Sequence, residues 1–195
     1  MIAFKYTKTD GAEFLSHLDL LRHIDRTLRR AGVEVKVSEG FNPHPKIYMN
    51  NPLGLGIKSV AEFCTVESDF AVNFKDLFNA NSPKGVKCVD YKEVTENPNY
   101  AYTIDSCTYA ADSAEFSAEK VLSRGSIIIT DKRGRTVDIR ERIHSLEYSD
   151  GKLTFTLGCG TNNLRPDLFL DFLYDEYALK AANIIKIASH GRFTF

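Results

Sequence analysis

Apolar residues along this chain switch between two spacings, and the order of the switches restricts the fold more than any single motif does. At the amino end Ile2, Phe4 and Tyr6 alternate with Ala3, Lys5 and Thr7, the period-2 pattern of a strand with one buried face. Asp10 and Gly11 break the pattern. From about residue 14 or 16 to residue 31 the spacing becomes helical. Leu18, Leu21, Ile24 and Leu28 form the predicted inward stripe, and Gly32 is the predicted stop. Val33, Val35 and Val37 then alternate with polar neighbours as a second strand. Residues 38–46 have no periodicity, 47–49 read as a short strand, and 60–68 as a longer one. A short helix over 73–79 and a strand over 86–94 follow.

Strand, helix, strand, strand, helix, strand is the order of a ferredoxin-like unit, an antiparallel sheet with helices on one side. The run ENPN at 96–99 is a plausible link. Beyond it the plan repeats in outline. A strand is predicted at 102–106, a helix at 113–123, and extended segments at 127–130 and 136–148 joined by the turn DKRG. Ser149, Asp150 and Gly151 make a hairpin turn. Leu153, Phe155 and Leu157 alternate after it, Pro166 opens an apolar-striped helix, and 184–188 closes as a strand. This half carries one strand candidate more than the simple plan and no internal sequence repeat. The expected class is therefore α+β, with two ferredoxin-like units over 1–96 and 100–195.

Composition narrows the function. With 43% apolar residues the chain can build a core, and a net charge of −1 excludes a polybasic tail acting by bulk attraction while leaving room for a local basic face. No apolar run approaches membrane-spanning length, and the charged amino end does not read as a signal peptide. The four cysteines, Cys64, Cys88, Cys107 and Cys159, are too far apart for a CxxC, a zinc knuckle or an iron–sulfur run, so free thiols and a cytoplasmic location are expected. No metal site and no cofactor motif is predicted.

Two features are chemically distinctive. Arg22, Arg26 and Arg29, with Arg30 at the edge, share the predicted helix face opposite the leucines. Such a face is either a solvated surface, partly neutralised by Asp19 and Asp25, or a set of contacts to phosphate oxygens. The second is SEGFNPHPK at 38–46. Gly40 permits a backbone turn, Pro43 and Pro45 stiffen the loop and fix His44, and Phe41 can anchor the loop or stack. Asn42, His44 and Lys46 can donate to phosphates or base edges. His17, near the helix start, and His44 are the only candidates for an acid–base pair, and a nucleophile–base–orienter set is not evident. Arg133, Arg135, Arg140 and Arg142 outline a possible second basic surface, blunted by Asp138 and Glu141.

The run FLSHLDLLRHIDRTLRRAG at 14–32 followed by VSEGFNPHPKI at 37–47 closely resembles the radical-SAM-associated protein family, the DUF2344-like domain found alone or fused behind B12-type radical SAM enzymes. The resemblance extends through NPLGLGIKSVAEF at 51–63 and resumes more loosely at VDIRERI, 137–143, and LRPDLF, 164–169. By position Ser16, His17, Asp19, Arg29, Arg30, every residue from Glu39 to Lys46, and Gly54, Gly56, Ser59 and Glu62 match the family pattern. The chain departs from that pattern at its end, HGRFTF, where the family often carries an Arg-rich segment. The resemblance implies a task near RNA modification or ribosome maturation, with the radical chemistry residing in a separate enzyme.

The resulting expectation is a non-catalytic accessory protein that binds structured RNA, tRNA or rRNA, and works with a radical SAM enzyme. Its predicted RNA-binding set is Arg22, Arg26, Arg29, Arg30, Asn42, His44 and Lys46, with Glu39, Gly40, Phe41, Pro43 and Pro45 as loop scaffold. One alternative is a protein–protein adaptor for the same enzyme without RNA contact. Another is a metal-independent RNA-processing enzyme using His44 and His17.

Overall fold

A computed structural model describes residues 1–69, 72–130, 134–193 and 195. Arg133 and the rest of the predicted DKRG turn before Gly134 lie outside the described residues. The fold is mixed α+β, and the strand ladders within each of its units are antiparallel. The chain divides into two compact units, Met1–Thr103 with Arg192–Phe195, and Ile104–Gly191. The expected link at 96–99 thus lies inside the first unit. Packing explains the difference: Tyr100 is buried, with its ring 5.0 Å from that of Phe63 and 5.4 Å from that of Phe193. These contacts tie both the link and the chain end to the first unit.

The first unit contains β1 (Ile2–Lys8), α1 (His17–Arg30), β2 (Ile47–Met49), β3 (Lys58–Val66), α2 (Phe74–Asn81), β4 (Cys88–Glu93) and α3 (Tyr100–Thr103). Its strands lie in the order β4-β1-β3-β2. Phe4 on β1 meets Phe74 and Phe78 of α2 at centroid distances of 5.2 and 5.3 Å, the centre of an aromatic core. Two sequence expectations are corrected here. First, α1 buries Leu20, Ile24, Thr27 and Leu28, while Leu18 is 61% exposed. Ser16 caps the helix by accepting from the Asp19 N–H at 3.2 Å, which starts the helix at His17. Leu18 then sits about 200° around the helix from Leu20.

Second, residues 33–37 form no strand; only Val37 makes an isolated bridge, to Pro45. Val33 instead closes α1: its N–H donates to the Leu28 carbonyl at 3.0 Å while the Gly32 N–H donates to the Arg29 carbonyl at 3.2 Å. That pair of bonds is a Schellman cap, and it buries Val33 against the helix end. The strand that follows α1 in the sheet is β2.

The second unit contains β5 (Ile104–Ser113), α4 (Glu119–Leu122), β6 (Ile128–Thr130), β7 (Thr136–Asp138), β8 (Ile143–Ser149), β9 (Lys152–Gly158), α5 (Pro166–Tyr177) and β10 (Ala181–Gly191). Its main sheet runs β10-β5-β9-β8, and β6 and β7 pair as a separate ribbon. Phe155 stacks on Tyr109 at 5.4 Å and meets Phe169 of α5 at 5.2 Å. The predicted hairpin turn joins β8 to β9, with Asp150 and Gly151 at φ 50° and 77°. The helix expected over 113–123 shrinks to α4 because Ser113 continues β5, its N–H donating to the Gly151 carbonyl. The extended run expected over 136–148 is interrupted by a 3-10 turn at Arg140–Arg142. Arg140 creates the interruption by donating to the carbonyls of Leu122, Arg124 and Ile143.

Candidate recognition site

Segment 36–48 is a hairpin-like loop whose base is closed and whose tip is bare. At the base the Ser38 N–H donates to the His44 carbonyl at 2.8 Å, and the His44 N–H returns a bond to Ser38 Oγ at 3.0 Å. The Lys46 N–H donates to the Lys36 carbonyl at 2.8 Å. Glu67, just past β3, anchors this base: Lys46 Nζ lies 2.9 Å from one carboxylate oxygen, and the Tyr48 hydroxyl donates to the other at 2.8 Å. The Lys46 bond holds the Glu67 carboxyl below its ordinary range, and the same carboxylate raises the titration of Lys46 and Tyr48.

Residues Glu39 to His44 form the tip, all exposed. Gly40 has φ 114°, a conformation open to glycine but strained for other residues, and it turns the chain there. Pro43 and Pro45 remove two backbone donors and fix φ on the return limb. Phe41 has a relative exposure of 106%, so its ring touches nothing in the fold. Asn42 and His44 flank it one and three residues on. The loop therefore joins a rigid frame to a solvent-facing aromatic ring, an amide and an imidazole.

The arginine face of α1 is less free than its spacing implies. Arg22 pairs with Asp19 at 3.1 Å and Arg29 with Asp25 at 3.0 Å. The Asp19 carboxyl is held below its ordinary value by the Ser16 hydroxyl first and Arg22 second. Arg30 is turned to the end of α2, donating to the Asn81 carbonyl at 2.9 Å, and also reaches the Thr27 hydroxyl. Arg26 is exposed and makes no hydrogen bond or ion pair among the described residues. Arg29 and Pro45 line one side of a groove of about 500 Å³ with Asp25, Val35 and Val37, which brings this arginine to the loop base. Arg22 lies seven residues, about 10 Å, up the helix from Arg29.

The structure does not bring His17 and His44 together. His17 is half-buried at the start of α1, where Glu62 and Lys8 are its charged neighbours, and burial lowers its pKa. Glu62 sits on β3, bonded by the Asn50 amide at 3.1 Å, five residues before Glu67 at the loop base. His17 thus neighbours the middle of β3, at Glu62, whereas the loop that carries His44 is anchored past the end of that strand, at Glu67, five residues and about 16 Å further along the chain. A third histidine escaped the sequence reading. His23 is half-buried on α1, its Nε2 lacks a hydrogen-bond partner, and burial, then Arg30 and Arg26, depress its pKa. Only its place between the apolar and arginine stripes hinted at this.

Of the second basic surface, Arg133 lies outside the described residues, and two of the other arginines are tied to backbone carbonyls. The Arg140 guanidinium is spent on three carbonyls and Arg142 donates to the Asn163 carbonyl at 3.1 Å. Asp138 accepts from the Arg140 and Ile127 N–H groups and the Ser126 hydroxyl, which draws its pKa down to about 2. Cys64, Cys88 and Cys107 are buried free thiols and Cys159 is a half-buried one. Among the described residues no three His, Cys, Asp or Glu side chains are grouped to hold a metal ion, and no helix is long and apolar enough to cross a membrane.

A solved structure entitled "Crystal Structure of a Cbf5-Nop10-Gar1 Complex" contains a chain with a similar fold, at a TM-score of 0.50 and 10% sequence identity. The match covers 96% of this chain and 48% of that one, so this chain spans about half the length of its structural relative. No curated protein matches in sequence. The motif runs at 14–32, 37–47 and 51–63 lie within residues 2–166, the span over which the chain matches a family model, and on that match it belongs to the family described as "Uncharacterized protein conserved in bacteria (DUF2344)".

Proposed function

We propose that this chain is a non-catalytic accessory protein that binds structured RNA, tRNA or rRNA, through the loop at 38–46 and works beside a separate radical SAM enzyme. The observation that carries the reading is the loop itself: a frame closed by Ser38, Lys46 and Glu67, presenting Phe41, Asn42 and His44 to solvent. A ring that stacks, an amide and an imidazole are the groups by which proteins read exposed bases. The enzyme partner rests on the motif resemblance at 14–63.

Architecture supports the same reading by analogy. We take both units as ferredoxin-like, with the first running past the expected link to Thr103. The first has the order β-α-β-β-α-β with strands β4-β1-β3-β2. The second has the equivalent strand order β10-β5-β9-β8, with the β6–β7 ribbon as an insertion. The likeness to a chain of the Cbf5-Nop10-Gar1 complex is fold-level analogy and adds little weight to function.

One observation favours the adaptor reading. The ion pairs of Arg22 and Arg29 and the cap made by Arg30 leave few cations for phosphate. Titrating the full chain with labelled tRNA and rRNA fragments at low salt separates the two. The RNA reading expects binding that Asn42→Ala with His44→Ala weakens at unchanged melting temperature. No RNA binding at low salt, with capture of the radical SAM enzyme intact, overturns it in favour of the adaptor.

A further inference from the structure

We infer that the loop at 38–46 recognises unpaired nucleotides, with one base stacked on Phe41, rather than the phosphates of an RNA duplex. The inference rests on the reading of this loop as an RNA site and names the form of RNA it takes.

Three observations carry it. First, the Phe41 ring is wholly in solvent at the tip of a loop whose base is closed by the Ser38–His44 bonds and the Val37–Pro45 bridge. A ring that packs on nothing in the fold has its whole face open to stacking, and every base offers it a π-face. Second, the groups flanking the ring suit base edges. The Asn42 amide both donates and accepts, and the His44 imidazole does the same when neutral. No other large apolar side chain lies on the tip to form the rim a protein pocket would seal against.

Third, the cations near the loop are already engaged. Lys46 is held by Glu67, Lys36 by Asp69 at 3.0 Å, Arg29 by Asp25 and Arg30 by Asn81. Duplex RNA is held largely through phosphates and 2′-hydroxyls, and that mode needs several free cations at once. Arg26 is the one arginine of the α1 face without a hydrogen bond or ion pair among the described residues.

The test uses the full chain and three labelled RNAs: a ten-nucleotide oligoadenylate, a blunt duplex of mixed sequence, and that duplex carrying a single-nucleotide bulge. Fluorescence anisotropy is expected to show the oligoadenylate and the bulged RNA binding more tightly than the blunt duplex. Phe41→Ala should weaken the first two by about fivefold to 150-fold, the span of one stacked base. Phe41→Tyr should retain binding, and because the ring packs on nothing, both variants should melt with the parent. The salt slope for the oligoadenylate should correspond to about one or two phosphates. Equal binding to blunt duplex, or Phe41→Ala without effect on RNA that does bind, overturns the inference while leaving the RNA reading standing. Failure of all three RNAs to bind overturns both, and loss of radical SAM enzyme capture in Phe41→Ala then assigns the ring to a protein pocket.

Discussion

The inward face of α1 offers a sharp measurement, because the sequence pattern and the structure disagree about one leucine. Periodicity predicts Leu18 inside, yet it is 61% exposed, whereas Leu20 is 3% exposed. Leu20→Ala removes a buried isobutyl group from a core that includes Ile24, Leu28, Phe4 and Phe74. Transfer and cavity effects together predict a loss of about 3 kcal/mol, within the range for buried leucines. Leu18→Ala removes surface that is mostly wet already and substitutes the best helix former, so its effect should lie within about 0.5 kcal/mol of zero. Urea denaturation followed by far-UV circular dichroism reads the contrast. With a slope of about 2 kcal/mol per molar, Leu20→Ala moves the midpoint by about 1.5 M while Leu18→Ala leaves it within about 0.3 M. Leu28→Ala, at a residue with 0% exposure, should behave as Leu20→Ala does. Equal losses at Leu18 and Leu20 would refute the helix rotation described here, and with it the outward placement of the arginine face.

Other outcomes follow from the same structure. Gly85 has φ 93°, and a Cβ there would lie 1.9 Å from the Thr9 carbonyl oxygen, so Gly85→Ala should cost about 2 kcal/mol or more, read as a fall in the urea midpoint. With Cys64, Cys88 and Cys107 buried and burial raising the Cys88 thiol to about 12, an aromatic disulfide reagent at pH 8 should label the native chain at Cys159 first, and all four thiols only in denaturant. His17 and His23 both titrate below their ordinary 6.5, chiefly through burial. As pH falls through 6.5 the unfolded chain takes up protons that the folded chain does not, so stability falls with pH there. The midpoint at pH 5.5 should be below that at pH 7.5, and His23→Gln should flatten the difference.

Legibility in the sequence followed local physics. The mixed α+β character was legible because period-2 and period-3.6 runs are separated by Asp-Gly, Gly and Pro breaks. Residues Ile2 to Lys8 and 47–49 became strands as their spacing required. The run 33–37 deceived because alternation of valines is equally the signature of a strand and of a chain leaving a capped helix. Val33 is recruited by the Schellman bonds to Leu28 and Arg29, and Lys36 by the Glu67 carbonyl at 2.8 Å, a residue too distant in sequence for spacing to reveal. Leu18 deceived for a related reason. The segment from Leu18 to Leu21 offers three leucines to a stripe that uses one fully, and the Ser16 cap together with core contacts selects Leu20.

The candidate site divides along the same line. The stiffness of 38–46 was legible because proline and glycine act on their own backbone. Whether an arginine is free depends on its neighbours, and here the sequence contained half of the answer. Asp19 and Asp25 stand three and four residues before Arg22 and Arg29, spacings at which a helix pairs opposite charges. The engagements of Arg30 by Asn81 and of Lys46 by Glu67 join residues 51 and 21 positions apart and follow only from packing. Exposed pairs of this kind are weak, about 0.2–1 kcal/mol, so a strongly charged ligand can break them. Their effect is therefore on selectivity. Each phosphate contact made by Arg22, Arg29 or Lys46 is reduced by the pair it displaces, whereas a base stacked on Phe41 displaces only water. The balance shifts from backbone charge toward the base, and the groups that decide what this loop binds become its aromatic ring and the Asn42 and His44 side chains that follow it.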